Sequence, residues 1–343
     1  MKKSAKIRKT LLFTLLLLLI LAGGACVFLK TYVLAEFDGT KAAVIVIPSG
    51  STENDIRSIL GKQLDDSYAS KIMRLWKWQG GKAPAEGGYY EIDPGTTALR
   101  AARNIALHRQ TPVTVRFNSL RTMQDLATHI ASQMEFGPDA FLDACDSILP
   151  EAGFRRDEFP AAFLPDSYEF YWTDSPGKVV GTMLETRNRF WNETRRQQAS
   201  RLGLTPVGTA TLASIVEEET AKTDERPLVA RLYLNRLDKG MPLQADPTVK
   251  FAVGDFSLTR IYEKHLKTQS PYNTYLNKGL PPGPIRIAER ASIDAVLTAP
   301  EHKYIYMCAR QDFSGYHNFT DSYNDHLHNA AAYRSALDKR GIK

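Results

Sequence analysis

The chain is poor in the residues that most readily betray a chemistry. Its 343 residues include three cysteines, Cys26, Cys145 and Cys308, scattered too widely for a disulfide framework or a paired-cysteine metal site. They are read as packing residues. The seven histidines fare little better: His326 and His328 stand two apart, which on a helix points them to different sides, and His317 is isolated in a Gly-Tyr-His-Asn-Phe turn. No metal site is expected from these positions. There is no glycine-rich phosphate loop and no nucleophile elbow, so nucleotide chemistry has nothing to rest on. No internal repeat or low-complexity tract is present. The formal charge of +6 is mostly the work of Lys2, Lys3, Lys6, Arg8 and Lys9, which leaves the remainder close to balanced. A nucleic-acid surface would need basic residues gathered on one face, so no nucleic-acid partner is expected.

What the chain does have begins right after those basic residues. Residues 10–29 carry no charge, a run of the length that crosses the hydrocarbon core of a bilayer, about 20 residues. The positive-inside rule keeps the basic N-terminus in the cytoplasm and places everything after Lys30 on the far side. A cleaved signal peptide is the competing reading, but its apolar region is shorter, about 7 to 15 residues. A lipoprotein cleavage box ending at Cys26 fails because Leu21 is too far from the cysteine. A retained single-pass anchor is expected.

Periodicity then predicts an α+β chain. A strand over residues 41–47 leads into a helix capped by Ser51 or Thr52, a second helix over 68–78, a strand over 86–92 and a helix opened by Thr96. This strand, helix, helix, strand, helix unit reads as a separate small module. Alternation through Val113, Val115 and Phe117 starts a new strand, and the domain boundary is placed near Thr111. The expected divisions are a cytoplasmic tail (1–9), a transmembrane helix (10–30), a small module (31–111) and a larger α+β domain (112–343). In the larger domain, helices are expected over 122–134, 138–149 and 179–203. Further helices should follow Pro206 or Gly208, and then Asp224 as a cap, with Gly240 as terminator. Asp246-Pro247-Thr248 and Pro271-Tyr272-Asn273-Thr274-Tyr275 read as loops, 292–297 as a helix, 304–309 as a strand and 324–339 as a terminal helix.

Within the larger domain, Leu212-Ala213-Ser214-Ile215-Val216-Glu217-Glu218-Glu219 ends an apolar run on three carboxylates. On a helix, Leu212, Ile215, Val216 and Glu219 share one face. Glu219 thus continues the core stripe, where ionisation is penalised, while Glu217 and Glu218 project to either side toward water. An acid kept protonated near neutral pH can donate a proton. The competing account is a buried glutamate satisfied by an arginine or backbone donors, or a helix end that turns the side chain into solvent. Aromatic, amide and hydroxyl groups in the downstream loops are the other ingredients of a carbohydrate site, where a carboxylic acid assists departure of a glycosidic oxygen.

Four ordered motifs carry a resemblance. Ala213-Ser214-Ile215-Val216-Glu217-Glu218-Glu219, Leu243-Gln244-Ala245-Asp246-Pro247-Thr248-Val249, Tyr272-Asn273-Thr274-Tyr275 and Gly279-Leu280-Pro281-Pro282-Gly283-Pro284-Ile285 together resemble the MltG (YceG-like) family of membrane-anchored endolytic murein transglycosylases. The resemblance implies that residues 42–109 form a LysM-like module and 112–340 the catalytic domain. It also implies that Glu219, the last acid of the family's Glu-Lys-Glu pattern, is catalytic. The middle lysine is Glu218 here, which should push the Glu219 pKa further up. The family's Glu-Gly pair is Asn118-Ser119, and its Pro-Asp-Thr-Tyr motif reads Pro165-Asp166-Ser167-Tyr168.

The activity implied is cleavage between N-acetylmuramic acid and N-acetylglucosamine with 1,6-anhydro ends, terminating glycan elongation without a cofactor. Glu217 is the candidate for a second carboxylate or a structural role. Gln244, Asp246, Tyr272, Asn273 and Thr274 are candidates for holding sugar or for organising their loops, as are Asp166, Tyr168 and His317. The resemblance also implies a site on the outer face of the cytoplasmic (inner) membrane and partnership with peptidoglycan synthases such as penicillin-binding proteins. A noncatalytic peptidoglycan-binding scaffold for those synthases is the alternative.

Overall fold

The computed structural model describes residues 2–258 and 260–341. The first helix, α1 (Lys2–Phe28), is continued by a π-helical turn, Leu29–Val33. Within it Ile7–Val33 is long and apolar enough to cross a membrane, and none of its most apolar stretch is buried in the protein. At 1.5 Å per residue a helix of this length exceeds the ~30 Å of a bilayer's hydrocarbon core.

The chain divides into two compact units. One comprises residues 1–114 with 133–135 and 169–174, the other 115–132, 136–168 and 175–343. The first unit holds β1 (Ala43–Ile47), α2 (Glu53–Gln63), α3 (Asp66–Trp78), β2 (Gly88–Ile92) and α4 (Ala98–Ala106). β1 and β2 pair antiparallel, Ala43 opposite Ile92 through Ile47 opposite Gly88. Local chemistry sets the helix starts. The side chains of Thr52, Asp65 and Thr97 each accept a backbone N–H of the first turn of α2, α3 and α4, supplying a partner that the helix itself cannot. Ile45, Ile56, Leu60, Ile72 and Trp76 close the core beneath the sheet, each fully buried aliphatic contributing about 1.5–3 kcal/mol.

Next come β3 (Val113–Arg116), α5 (Met123–Ala131), α6 (Pro138–Glu151), a 3-10 segment Arg156–Ala162, β4 (Ser167–Phe170), α7 (Pro176–Phe190) and α8 (Glu193–Arg201). β3 pairs with β4. The single long helix expected over 179–203 is two, because Trp191 is buried and the Asn192 side chain accepts the Arg195 N–H, capping a new helix. The remaining elements are α9 (Pro206–Glu219), α10 (Arg226–Asp238), α11 (Asp246–Val253), α12 (Glu263–Leu266), α13 (Arg290–Leu297), β5 (Tyr306–Ala309), β6 (His317–Thr320) and α14 (Tyr323–Lys339).

Three local expectations give way here. Asp224 does not cap α10; it accepts the Tyr316 hydroxyl at 3.0 Å, and α10 starts at Arg226 with Pro227 in its first turn. Asp246 opens a helix rather than a turn, since Pro247 supplies the φ a first turn needs. His317 lies in a strand: β6 pairs antiparallel with β5.

The second unit is assembled around α9. Thr205 caps it, Pro206 occupies its first turn, and every residue from Thr209 to Glu217 is buried. It packs against α8, α10, α11 and α13. Thr209, Thr211 and Ser214 are tolerated in this apolar setting because their hydroxyls donate to the carbonyls of Thr205, Val207 and Thr211 at 2.7–2.9 Å. Ser214 Oγ also accepts the Ile285 N–H at 3.0 Å, which pins the end of the proline-rich loop to the helix. Gly283 in that loop is packed so closely that a Cβ would lie 2.6 Å from the Asp157 carbonyl carbon and nearer still to its oxygen. Gly283→Ala is therefore expected to destabilise the protein by about 1–3 kcal/mol, as overpacking against rigid backbone does. Thermal unfolding of the full chain in detergent measures it, and an unchanged midpoint would contradict the packing described.

Candidate active site

The three acids at the end of α9 meet three fates. Glu217 is buried. Its carboxylate accepts the Ser292 hydroxyl at 2.7 Å and the Glu289 N–H at 2.8 Å, and Arg286 Nε lies 3.2 Å away. Glu218 Oε1 accepts from Arg121 at 2.8 Å and from Arg286 at 2.7 Å. The expectation that these two are solvated is corrected: it assumed a helix with a wet face, and α9 is enclosed by neighbours, so both acids are matched by arginines instead. Arg286 is itself held by Ser119, whose hydroxyl accepts its Nε at 2.6 Å.

Glu219 has no such cation. Its Oε1 accepts the Tyr233 hydroxyl at 2.6 Å, and no ion pair to it exists among the described residues. Desolvation dominates and pushes its pKa up to about 7. The Tyr233 bond opposes this, Asp246 adds to it by repulsion, Arg236 pulls the other way, and Glu218 adds the smallest repulsion of these. Its place at the C-terminus of α9 acts in the same sense as burial, because the helix dipole presents negative charge there. Burial raises the Tyr233 hydroxyl well above its ordinary value, so Tyr233 acts as a donor. With Oε1 engaged as its acceptor, the carboxyl proton resides on Oε2.

Glu219 is half-buried and opens into a cavity of about 700 Å³. Asp246 and Lys250 of α11 line it, as do Arg260 before α12 and Tyr333 and Arg334 of α14. Asp246 Oδ1 accepts the Tyr275 hydroxyl at 2.6 Å. Two carboxyl–tyrosine pairs thus border one space, and among the described residues neither carboxyl is ion-paired with a cation.

The loops around it are built by the remaining candidates. Gln244 adopts φ +52°, a left-handed conformation rare for a side chain of its size. Its N–H donates to the Thr274 carbonyl at 3.1 Å and its Oε1 accepts from Arg236 at 3.3 Å. Thr274 is buried, accepts the Ala245 N–H at 3.0 Å and shares a hydrogen bond with Thr248 at 2.8 Å. Buried Asn273 donates to the carbonyls of Leu266 and Thr268 and accepts the Tyr275 N–H. Asn273 and Thr274 spend their polar atoms on the loop that delivers Tyr275. Tyr272 points elsewhere, its ring 4.7 Å from that of Phe251 and its hydroxyl on Asp157 at 3.3 Å.

Three candidates lie apart from this cavity. Asp166 pairs with Arg290 at a second cavity bordered by Phe190 and Arg195. Tyr168 is buried, its hydroxyl on the Leu164 carbonyl at 2.7 Å and its ring stacked on Phe117. His317 Nδ1 lies 2.8 Å from Glu225, which also accepts the His317 N–H. Of the candidates read from sequence, Glu219 and Asp246 line the cavity together. Sequence reasoning missed Tyr233, Tyr275, Lys250, Arg260 and Arg334. Tyr275 was within a quoted motif, whereas the other four had no local signal. Among the described residues no group of three or more His, Cys, Asp or Glu is placed to hold a metal.

A match to the YceG-like family model runs over residues 45–332. The chain belongs to that family. The endolytic murein transglycosylase of Bacillus subtilis is 27% identical over 343 residues, spanning 94% of this chain and 93% of that protein. The endolytic murein transglycosylases of two Streptococcus pneumoniae strains are 33% identical over 127 residues, 36% of this chain and 23% of theirs. A YceG-like protein of Listeria monocytogenes shares the fold, with a TM-score of 0.57 and 24% identity over 84% of this chain and 99% of that one.

The Glu219 environment has a stability consequence. Its folded pKa of about 7 lies above the ordinary 4.5, so the native state binds the extra proton between those values. Stability is greatest below about 4.5 and falls as pH rises through 7. Glu219→Gln removes the charge. The variant is expected to match the wild type near pH 5 and to exceed it by about 1–3 kcal/mol at pH 8, after discounting for partial exposure. Thermal unfolding at the two pH values measures this, and equal stability at pH 8 would contradict the burial argument.

Proposed function

We propose that this YceG-like protein is an endolytic murein transglycosylase that uses Glu219 as its single catalytic acid and base. The observation carrying the proposal is an uncompensated carboxyl, raised to about 7, opening into a cavity large enough for sugar rings. The names borne by relatives along nearly the whole chain support the same reading.

Glu219 Oε2–H protonates the glycosidic oxygen between N-acetylmuramic acid and N-acetylglucosamine as the C1–O bond breaks. The muramyl 6-hydroxyl then attacks C1, and its proton passes to the Glu219 carboxylate. The acid is regenerated, a 1,6-anhydro end forms and no water is consumed. Tyr233 keeps Oε1 engaged throughout, so the same oxygen gives and takes the proton. Asp246 presents negative charge to the positive charge that develops on the sugar ring in the transition state.

The apolar helix Ile7–Val33 anchors the protein to the cytoplasmic membrane in this account, with the basic N-terminus inside and the cavity outside. Held there, Glu219 meets strands near where peptidoglycan synthases such as penicillin-binding proteins make them, and cutting within the strand ends elongation. The unit built on β1 and β2 serves as a LysM-like module that grips glycan.

Uncross-linked glycan strands incubated with the full chain in detergent and weighed test the reading. Internal fragments with anhydro ends are expected, and Glu219→Gln should lower the rate by at least about 10³-fold, the scale of losing the essential proton donor. Products one water heavier would make the enzyme a hydrolase. Strand binding without fragments, in wild type and variant alike, would favour the noncatalytic scaffold.

A further inference from the structure

We propose that Lys250, Arg260 and Arg334 form a subsite that reads carboxylates on the stem peptides of the strand being cut. The proposal rests on the murein transglycosylase reading and names the part of the substrate that the cavity selects.

Positive charge in the Glu219 cavity outnumbers the carboxylates left to match it. Of its acids, Glu218 is matched by Arg121 and Arg286, Glu219 accepts the Tyr233 hydroxyl and holds its proton below about pH 7, and Asp246 accepts a tyrosine hydroxyl. Its cations have no such close matches, though the charge of Lys250 also acts on Asp255. Lys250, Arg260 and Arg334 line the same space, and none makes an ion pair or hydrogen bond among the described residues. Arg260 lies 5.7 Å over the ring of Tyr262, which leaves its guanidinium edge free. Three unmatched cations therefore face one carboxylate that lacks a cationic partner.

They come from three elements, α11, the segment before α12, and α14, so they border the cavity from different sides. Positive charge beside an acid that must hold its proton opposes its function, which gives these residues no evident role in catalysis itself. A ligand anion resolves the conflict by neutralising them when substrate binds. The alternating sugar backbone is uncharged once its lactyl groups are amide-linked, so the anions of a strand are the carboxylates of its stem peptides. The α14 wall, with Tyr333, Arg334 and Leu337, lies beyond the family match that ends at residue 332, so family membership does not supply it.

The test compares the wild type with a Lys250→Gln/Arg334→Gln variant and with Arg260→Gln, each as the full chain in detergent. The strands carry intact stems or stems whose carboxylates have been converted to amides. Exposed cations give modest individual contributions, so the double variant is expected to raise KM about 10-fold on intact strands with kcat nearly unchanged, and Arg260→Gln about 3-fold. Wild type on amidated strands should show the variant's KM, and added salt should raise KM only for wild type on intact strands.

Equal KM for wild type on the two strand types would overturn the proposal, as would an equal loss by the variant on both. A pyrophosphate at a lipid-linked strand end is the other source of anion. Wild-type KM that depends on that end and not on the stems would also overturn it. Should wild type release no fragments from either strand, the transglycosylase reading fails first. Strand pull-down with the same proteins then decides the subsite, with weaker retention of amidated strands expected and equal retention contradicting it.

Discussion

Three carboxylates at the C-terminus of one enclosed helix set the constraint that the rest of the larger unit answers. A helix end already carries partial negative charge, and α9 has neighbours on every side through Glu217. Two of the acids are made tolerable by groups from distant parts of the chain: Arg121, Arg286, Ser292 and the Glu289 N–H. Among the described residues, the third receives only the neutral hydroxyl of Tyr233. A buried carboxylate without a cation is costly, so the group keeps its proton instead. The chemistry proposed for Glu219 follows from that difference in partners.

The surroundings make the difference durable. The proline-rich loop that carries Arg286 is tied to α9 through Ser214 and wedged against Asp157 at Gly283, which holds the arginine beside Glu217 and Glu218. On the other side, Arg236 is consumed by the carbonyls of Ile305 and Leu243, each at 2.7 Å, and by Gln244. Its charge still lowers the Glu219 pKa, against the larger effect of burial. Asn273 and Thr274 brace the strap that presents Tyr275 to Asp246, which fixes the second acid of the cavity.

How much of this was legible follows from the range of each interaction. Helix starts at Thr52 and Thr122 were readable because the capping hydroxyl and the N–H it accepts lie three residues apart, whereas the cap at Thr205 was passed over for a start after Pro206 or Gly208. Period alone put Glu219 on the apolar stripe of α9, and the structure leaves it half-buried at the cavity. The burial of Glu217 and the arginine pairing of Glu218 had no such sign, since period describes one helix and says nothing of what encloses it. The break at Trp191 and Asn192 was hidden by an uninterrupted charged pattern on either side. Tyr233 lies on the next helix, 14 residues beyond Glu219, and the arginines that settle the other acids come from still farther along the chain. No local pattern marks such partners.

The pH dependence of kcat/KM on uncross-linked strands tests the central claim most directly. With Glu219 protonated as the working acid at a pKa of about 7, log kcat/KM should be level below neutrality and fall with a slope of −1 above it. Because the Tyr233 bond lowers that pKa, Tyr233→Phe should move the break to higher pH. A break near the ordinary glutamate value of 4.5, or one unmoved by Tyr233→Phe, would contradict the account.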